Sequence, residues 1–332
     1  MTTIVDVARV AKVSTSTVSH VVNGTRNVTD ELRERVVAAI AQTGYHQHGP
    51  ARALRRSRTD TIALVISEAG YPVLDQMALG VEQEARRLGL TVFLAHSGDD
   101  PDQELSAVLA LQHQRVDGIL IAPVANSRPE IAAIVAESGL PMVLLDRPSP
   151  AAVDQVSVDN APPVAELVNH LVANGHRKIV FVAQGRTIST LDERYDGYES
   201  AIVAAGLEPL RVQASSAGSL RAALRALLVS RERPTAIVSA SQRSTVRVLQ
   251  VCQALSMEIP QDVSIVVFDD FPFADVFSPR LTSVVQPARK LGRRAVRLVR
   301  RRIENPEARV RKIRLSPRIE FRDSVRDLGP DG

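Results

Sequence analysis

The 332-residue chain has no tryptophan, and aromatic residues make up only 3% of it. Its core must therefore be aliphatic, and any pocket it encloses offers few ring faces for a planar ligand. There is one cysteine, Cys252, inside the apolar helical pattern "VLQVCQAL". A single thiol excludes an intrachain disulfide framework, and this one reads as a small buried hydrophobe. No run of about 18 uninterrupted apolar residues occurs, which argues against a transmembrane helix. No basic-then-apolar segment opens the chain, so a cytoplasmic location without a membrane partner is expected. The seven histidines are scattered. No HExxH pair, Cys/His cluster, phosphate loop or GxGxxG run accompanies them, so no enzyme, metal site or cofactor is expected. His176, in the helix-to-strand turn "NGHRKI", reads as structural.

What is present is an aliphatic alternation with an uneven charge. Apolar residues make up 45% of the chain, and its length suits two or three domains. The net charge is +4, yet residues 1–58 hold nine Lys/Arg against four acids. A basic head on a nearly neutral body either meets a polyanion or is simply a solvated charged face.

Residues 3–46 read as three short helices. "DVARVAKV" has Asp6 at its expected N-terminus. "STSTVSHVVN" follows a tight turn with Ser14 as N-cap. "TDELRERVVAAIAQTG" starts on Thr29 with acids in its first turn and stops at Gly44. Residues 47–60 are a basic linker with too little apolar surface to fold alone. From residue 61, β-branched runs such as "TIALVIS", "DGILIA", "PMVLLD", "KIVFVA" and "VSIVVF" alternate with helical patterns. That alternation predicts parallel sheets covered on both faces, in two doubly wound units. Ligands of such sheets bind beyond the carboxyl ends of the strands, which singles out Ser67, Asp146, Gln184, Ala240 and Asp269.

The first two helices fit a helix-turn-helix. Its second helix would carry Thr15, Ser16, Thr17, Ser19 and His20 outward, with Val18, Val21 and Val22 inward. Small hydroxyls let a helix sit deep in the major groove and still hydrogen-bond bases or phosphates. A small capped helix in an all-α head explains the same spacing.

The run "VSTSTVSHVVNGTR", with its flanks, resembles the DNA-binding head of the lactose/purine repressor (LacI) family, and especially the purine repressor's. The resemblance continues through "VDGILIAP", "LPMVLLDRP", "NGHRKIVFV", "ERYDGYESA" and "IPQDVSIVVFDD", over residues 2 to 322. It implies an α/β protein: a three-helix head at 1–46, a hinge helix at 47–60, and a periplasmic-binding-protein-like body at 61–322. That body would have two Rossmann-like subdomains, 61–160 plus 288–322 and 161–287, followed by a tail at 323–332. The implied function is a dimeric, sequence-specific transcription regulator, a repressor that binds a palindromic double-stranded operator. Its effector would be a sugar, a sugar derivative or another polar metabolite, held in the cleft between subdomains. The rival is a solute-binding protein without DNA function, which has no use for the head.

The resemblance carries specific residues. Thr15, Ser16, Thr17, His20, Thr25 and Arg26 fall on the DNA-contacting head. Leu54 matches a minor-groove wedge, where an apolar side chain unstacks a base step and bends the duplex, and Arg55 flanks it. Arg194 in "ERYDGY" and Asp269 in "FDD" match effector-binding positions, with Asp146 and Asp159 at other edges of the cleft. Asp146 and Asp159 each have an alternative reading as a helix cap or an ion-pair partner. The chain departs from the family where Ala240 and Ser241 replace a polar pair and Ser215 stands at an aromatic position. Tyr71 is a displaced cleft aromatic. These changes remove stacking surface that a sugar or purine uses. Arg147, Arg186 and Arg243 suit an anionic ligand or a solvated surface. Finally, residues 289–322 hold fourteen Lys/Arg against three acids. That run reads either as a second nucleic-acid surface or as a solvated face balanced by an acidic body.

Overall fold

The first helix, α1 (Ile4–Ala11), is set by its cap. Thr3 and Asp6 form a reciprocal capping box, each side chain accepting from the other's backbone N–H. Asp6 is therefore the third helical residue rather than the N-terminus expected from the sequence. The computed structural model describes residues 2–23, 26–45, 58–67, 71–185, 188–272, 274–276 and 278–329. It divides into two units, Met1–Thr59 and Asp60–Gly332.

In the first unit α1 ends at Lys12, whose left-handed φ of 51° turns the chain into α2 (Thr15–Asn23). Ser14 caps α2, accepting from the N–H of Thr17 at 3.1 Å. Helix α3 (Asp30–Thr43) stops at Gly44, where φ is 60°. Val7, Ala8, Ala11, Val18, Val36 and Ala39 form the small core. The hinge helix expected at 47–60, with Leu54 and Arg55, falls largely outside the described residues, as does Thr25.

The second unit contains two six-stranded sheets. The first runs in the order β11–β5–β4–β3–β1–β2, and every neighbouring pair is parallel. Its strands are β1 (Thr61–Ile66), β2 (Thr91–His96), β3 (Gly118–Ile121), β4 (Met142–Asp146), β5 (Asp154–Val158) and β11 (Lys312–Leu315). Helices α4 (Pro72–Arg87) and α11 (Ala288–Glu304) cover one face; α5 (Pro101–His113) and α6 (Glu130–Glu137) cover the other. Burial on both faces explains the unbroken apolar runs of β1 and β3. Helices α4 and α11 touch through their glycines. A Cβ on Gly80 would lie 2.2 Å from the carbonyl oxygen of Arg289, and one on Gly292 would lie 2.2 Å from that of Met77.

The second sheet runs β12–β10–β9–β8–β6–β7 and is parallel except for β12. Its strands are β6 (Ile179–Gln184), β7 (Leu210–Ala214), β8 (Ala236–Ser239), β9 (Ser264–Phe268), β10 (Thr282–Val285) and β12 (Arg318–Glu320). Helices α7 (Ala161–Ala173) and α8 (Ser189–Ala204) cover one face; α9 (Ala217–Leu228) and α10 (Gln242–Ala254) cover the other.

Two boundaries differ from expectation. Residues 288–322 do not all belong to the first subdomain, because the chain crosses after β11 and β12 pairs with β10. Residues 323–329, part of the expected tail, form a strap on the second sheet. Ser324 is buried and accepts from Thr282 N–H at 2.8 Å, and Leu328 N–H donates to Asn174 at 2.9 Å.

His176 pins this strap. Its Nε2–H donates to the Arg326 carbonyl at 3.1 Å, and its Nδ1 accepts from the Thr235 hydroxyl at 2.9 Å. Burial pushes its pKa from 6.5 down to about 4. Between those values the unfolded chain binds a proton that the folded chain refuses. Stability from this group is therefore constant above pH 6.5 and falls as pH drops toward 4, by up to ~3 kcal/mol. Urea midpoints of the wild type should fall over that window, and those of His176→Gln should fall less steeply. Parallel profiles would contradict the assignment.

Candidate DNA-binding face and inter-subdomain cleft

On α2 burial follows the two faces that the sequence suggested only in part. Val18 is fully buried, and Val21 and Val22 pack against the same core. Thr15 and Ser16 are exposed, while Thr17, Ser19 and His20 are half-buried. The Ser14 hydroxyl ties the first turn together, 2.7 Å from the Ser16 hydroxyl and 2.8 Å from that of Thr17. Thr15 and Ser16 thus stand at the positive end of the helix, where small polar groups can approach a phosphate or a base edge. Arg26 is exposed beyond the helix. Arg35 contributes in a way the sequence did not show. Its guanidinium donates to the carbonyl of Ala11 at 2.7 Å, so it braces the α1–α2 turn from α3. In the sequence it was only one more positive charge.

In the second unit, strand ends from both sheets converge on one cleft. It closes on a cavity of about 80 Å³ lined by Ser67, Tyr71, Asp146, Gln184, Arg194 and Asp269, among others. Asp146 and Asp269 each end or follow a strand with left-handed φ values of 69° and 76°. Aspartate tolerates this conformation better than most residues. The sharp turn holds both carboxylates at the cavity.

Arg194, from α8, is the buried cation between them. Its Nε–H donates to Asn160 Oδ1 at 2.9 Å and its NH1 to the Ala240 carbonyl at 2.8 Å. The guanidinium lies 3.6 Å above the Phe268 ring and 3.9 Å from Asp269. Burial lowers its pKa, opposed by Asp269 and Asp146. Burial also raises the Asp146 carboxyl above the ordinary carboxylate range, against the pull of Arg147 and Arg194. One oxygen of Asp146 and the amide oxygen of Gln286 are buried without a hydrogen-bond partner. Gln286 donates its amide N–H to Asp269. Two orphan acceptors facing one cavity call for a ligand that brings donors.

A latch crosses the mouth of the cleft. Arg243 of α10 reaches Asp99 of the opposite subdomain at 2.8 Å, and Arg147 lies 3.9 Å from the same carboxylate. Tyr71 sits under Arg243, 5.2 Å from its guanidinium, and its pKa is raised, chiefly by burial. Arg147 and Arg243 are thus matched to an internal carboxylate rather than left open for an anion. Arg186 lies outside the described residues.

The expected site residues divide accordingly. Arg194, Asp269, Asp146 and Tyr71 meet at one cavity. Asp159 does not line it. It sits on the crossover between subdomains, where Ser316 donates to its carboxylate at 2.9 Å and its own N–H bonds to Leu315. Ala240 contributes its carbonyl, and Ser241 caps α10 in a reciprocal box with Ser244. Ser215 is exposed and lines no part of the cavity. The sequence singled out neither Gln286 nor Asp99, although both lie within the span of the family resemblance.

Among the described residues no three His, Cys, Asp or Glu side chains are grouped to hold a metal ion, and no helix is long and apolar enough to cross a membrane.

Comparison with known proteins places both units. The family described as "Bacterial regulatory proteins, lacI family" matches residues 3–48, and "Periplasmic binding protein-like domain" matches residues 168–325. The ribose operon repressor of Haemophilus influenzae is 33% identical, over 99% of this chain and 100% of its own length. The HTH-type transcriptional repressor PurR of Mannheimia succiniciproducens is 30% identical, over 99% and 100%. A structure described as the transcriptional regulator CelR–cellobiose complex superposes with a TM-score of 0.72 at 30% identity, covering 98% of this chain and 100% of that one.

Proposed function

The chain belongs to the lacI family of bacterial regulatory proteins, and from that premise we propose that it is a transcription repressor that releases or holds its operator in response to a small polyhydroxylated ligand in the cleft. The observation that carries the ligand half is the pair of orphan acceptors, Asp146 Oδ1 and Gln286 Oε1, at a small cavity with a buried Arg194. Sugar hydroxyls supply the missing donors. One relative is named for a ribose operon, and one structural neighbour holds cellobiose. The cavity, about 80 Å³, is far below the ~300 Å³ of ordinary ligand sites. The subdomains must therefore part to admit a sugar, breaking Arg243–Asp99. Ligand binding and subdomain angle are then coupled to the extent that the ligand prefers one angle.

Thr15, Ser16, Thr17, His20 and Arg26 form the DNA-contacting set, together with Thr25 and, in the hinge, Leu54 and Arg55. The protein acts as a dimer on a two-fold symmetric site. An exposed edge strand supports this: Phe93 and Leu94 of β2, with Leu79 of α4, are large apolar side chains left open to water. A second copy is the natural cover for such an edge. A regulator of this kind works in the cytoplasm. A free-standing solute-binding protein would have no use for the head, and the family match to that head speaks against it.

Thermal melting of the full chain with D-ribose, D-glucose and cellobiose tests the ligand half. One of these saccharides should raise the melting temperature saturably, since a ligand at about 100 times its Kd adds ~2.7 kcal/mol. Asp146→Asn should flatten that response. No shift from any saccharide, together with unchanged operator affinity, would overturn the proposal of a sugar effector.

A further inference from the structure

Nine of the fourteen basic residues at 289–322 fall into two groups in the fold. Arg297, Arg302, Arg314 and Arg322 are neutralised by Glu84, Asp154, Glu193 and Asp270, and Arg300 pairs with Glu304. Glu84, held between Arg87 and Arg297, has its pKa lowered to about 2. These arginines are the balanced face that the sequence suggested.

The N-terminal end of α11 is different. Lys290 and Arg293 are exposed and make no hydrogen bond or ion pair with a described residue. Arg289 donates to the neutral amide of Gln76 at 2.6 Å. Arg318 pairs with Glu320 at 2.9 Å, but both side chains are open to solvent, where such a pair is weak. All four cations line one groove of about 590 Å³. Its walls include Val73, Phe271, Pro272 and Pro287. Its two acids are already engaged: Asp269 with Gln286, and Asp270 with Arg322.

We propose that this groove is a second ligand site, adjoining the effector cleft, and that it takes a small organic phosphate. Guanidinium forks and an ammonium suit phosphate oxygens. The apolar wall accommodates the organic part, and the volume lies in the range of small-molecule sites. A duplex backbone would require a longer cationic stripe than four side chains around a concavity. The position gives the site a consequence. Val285 to Ala288, with Ser316 and Arg318, supply part of the lining, and they belong to two of the connections between the subdomains. Asp269, Gln286 and Val73 line both the groove and the cleft cavity. A phosphate ligand that favours one subdomain angle therefore biases the same equilibrium as the effector.

Calorimetric titration of the full chain with ribose 5-phosphate, glucose 6-phosphate and adenosine monophosphate tests this. Inorganic phosphate, ribose and glucose serve as separate titrations. At least one organic phosphate should saturate and bind more tightly than inorganic phosphate. Lys290→Glu/Arg293→Glu should weaken it about tenfold or more, the equivalent of ~1.4 kcal/mol. The milder Lys290→Gln/Arg293→Gln should weaken it less, and Asp146→Asn should leave it unchanged. Three results would each overturn the site: no saturation by about 10 mM with any of the three, equal affinity in the charge-reversed protein with both variants folded by circular dichroism, or loss in Asp146→Asn. The last would place the phosphate in the cleft and leave the effector reading standing.

Discussion

Arg194→Met is expected to abolish the response of operator binding to the saccharide, while ligand-free operator affinity stays within a few-fold of wild type. The guanidinium is buried, holds two hydrogen bonds, stacks on Phe268 and faces Asp269. Its removal leaves Asp269 and Asp146 without their buried counter-charge, and breaking one side of a buried ionic pair costs about 3–5 kcal/mol. Part of that cost appears as lower stability of the body. The rest appears as lost ligand affinity, on the order of 100-fold. Arg194→Lys separates the two effects. It keeps a charge but loses the planar fork and the stacking, so it should fold better than the methionine variant and still respond poorly. Operator titrations with and without ligand, alongside thermal melts, read both. A methionine variant released by the saccharide at the wild-type midpoint would remove Arg194 from the effector site.

The second large effect is expected on the exposed turn of α2. Thr15→Ala/Ser16→Ala should cost about 2–4 kcal/mol on the operator if both side chains meet base edges. Loss on random duplex should be under ~0.5 kcal/mol, since binding there rests on the phosphates. Neither side chain is buried, so the head should remain folded. His20 is half-buried, so His20→Ala tests base contact and packing together and is the less clean variant. Equal losses on operator and random DNA would reassign Thr15 and Ser16 to the backbone.

Features of the fold that depend on near neighbours could be read from the sequence. Ser14 as a cap, Gly44 as a stop and Val18 as a core residue each follow from residues within one or two turns, and each is found in place. The strand runs of β1, β3, β4, β6 and β9 stand out because both faces of their sheets are covered. Two of the edge strands were harder. β7 and β11 have partly exposed side chains and no apolar run, so their pattern resembles loop. The chain's passage from one sheet to the other after Leu315 leaves no mark in composition.

The cleft shows the same division. Strand ends mark Asp146 and Asp269; Asp159 is named only by the family resemblance, and the crossover geometry sends its carboxylate to Ser316 instead. The Asp99–Arg243 latch joins residues 144 positions apart on opposite subdomains. No local pattern encodes that pairing. The expected place of Asp6 shifts for a related reason: an aspartate can open a helix or close its capping box, and Thr3 decides the matter.

The central claim is that the head confers sequence-specific DNA binding and the body makes it ligand-responsive. Its most direct test is gel retardation of a duplex selected from random sequence, comparing the full chain with the body alone, residues 60–332, each with and without the saccharide that stabilises the body. The full chain should shift a two-fold symmetric site in preference to random duplex by at least about 1000-fold, and the saccharide should change that affinity. The body alone should bind the saccharide but shift no duplex. Retention of the selected site by the body alone, or a full chain that binds all duplexes equally whatever the ligand, would contradict the account.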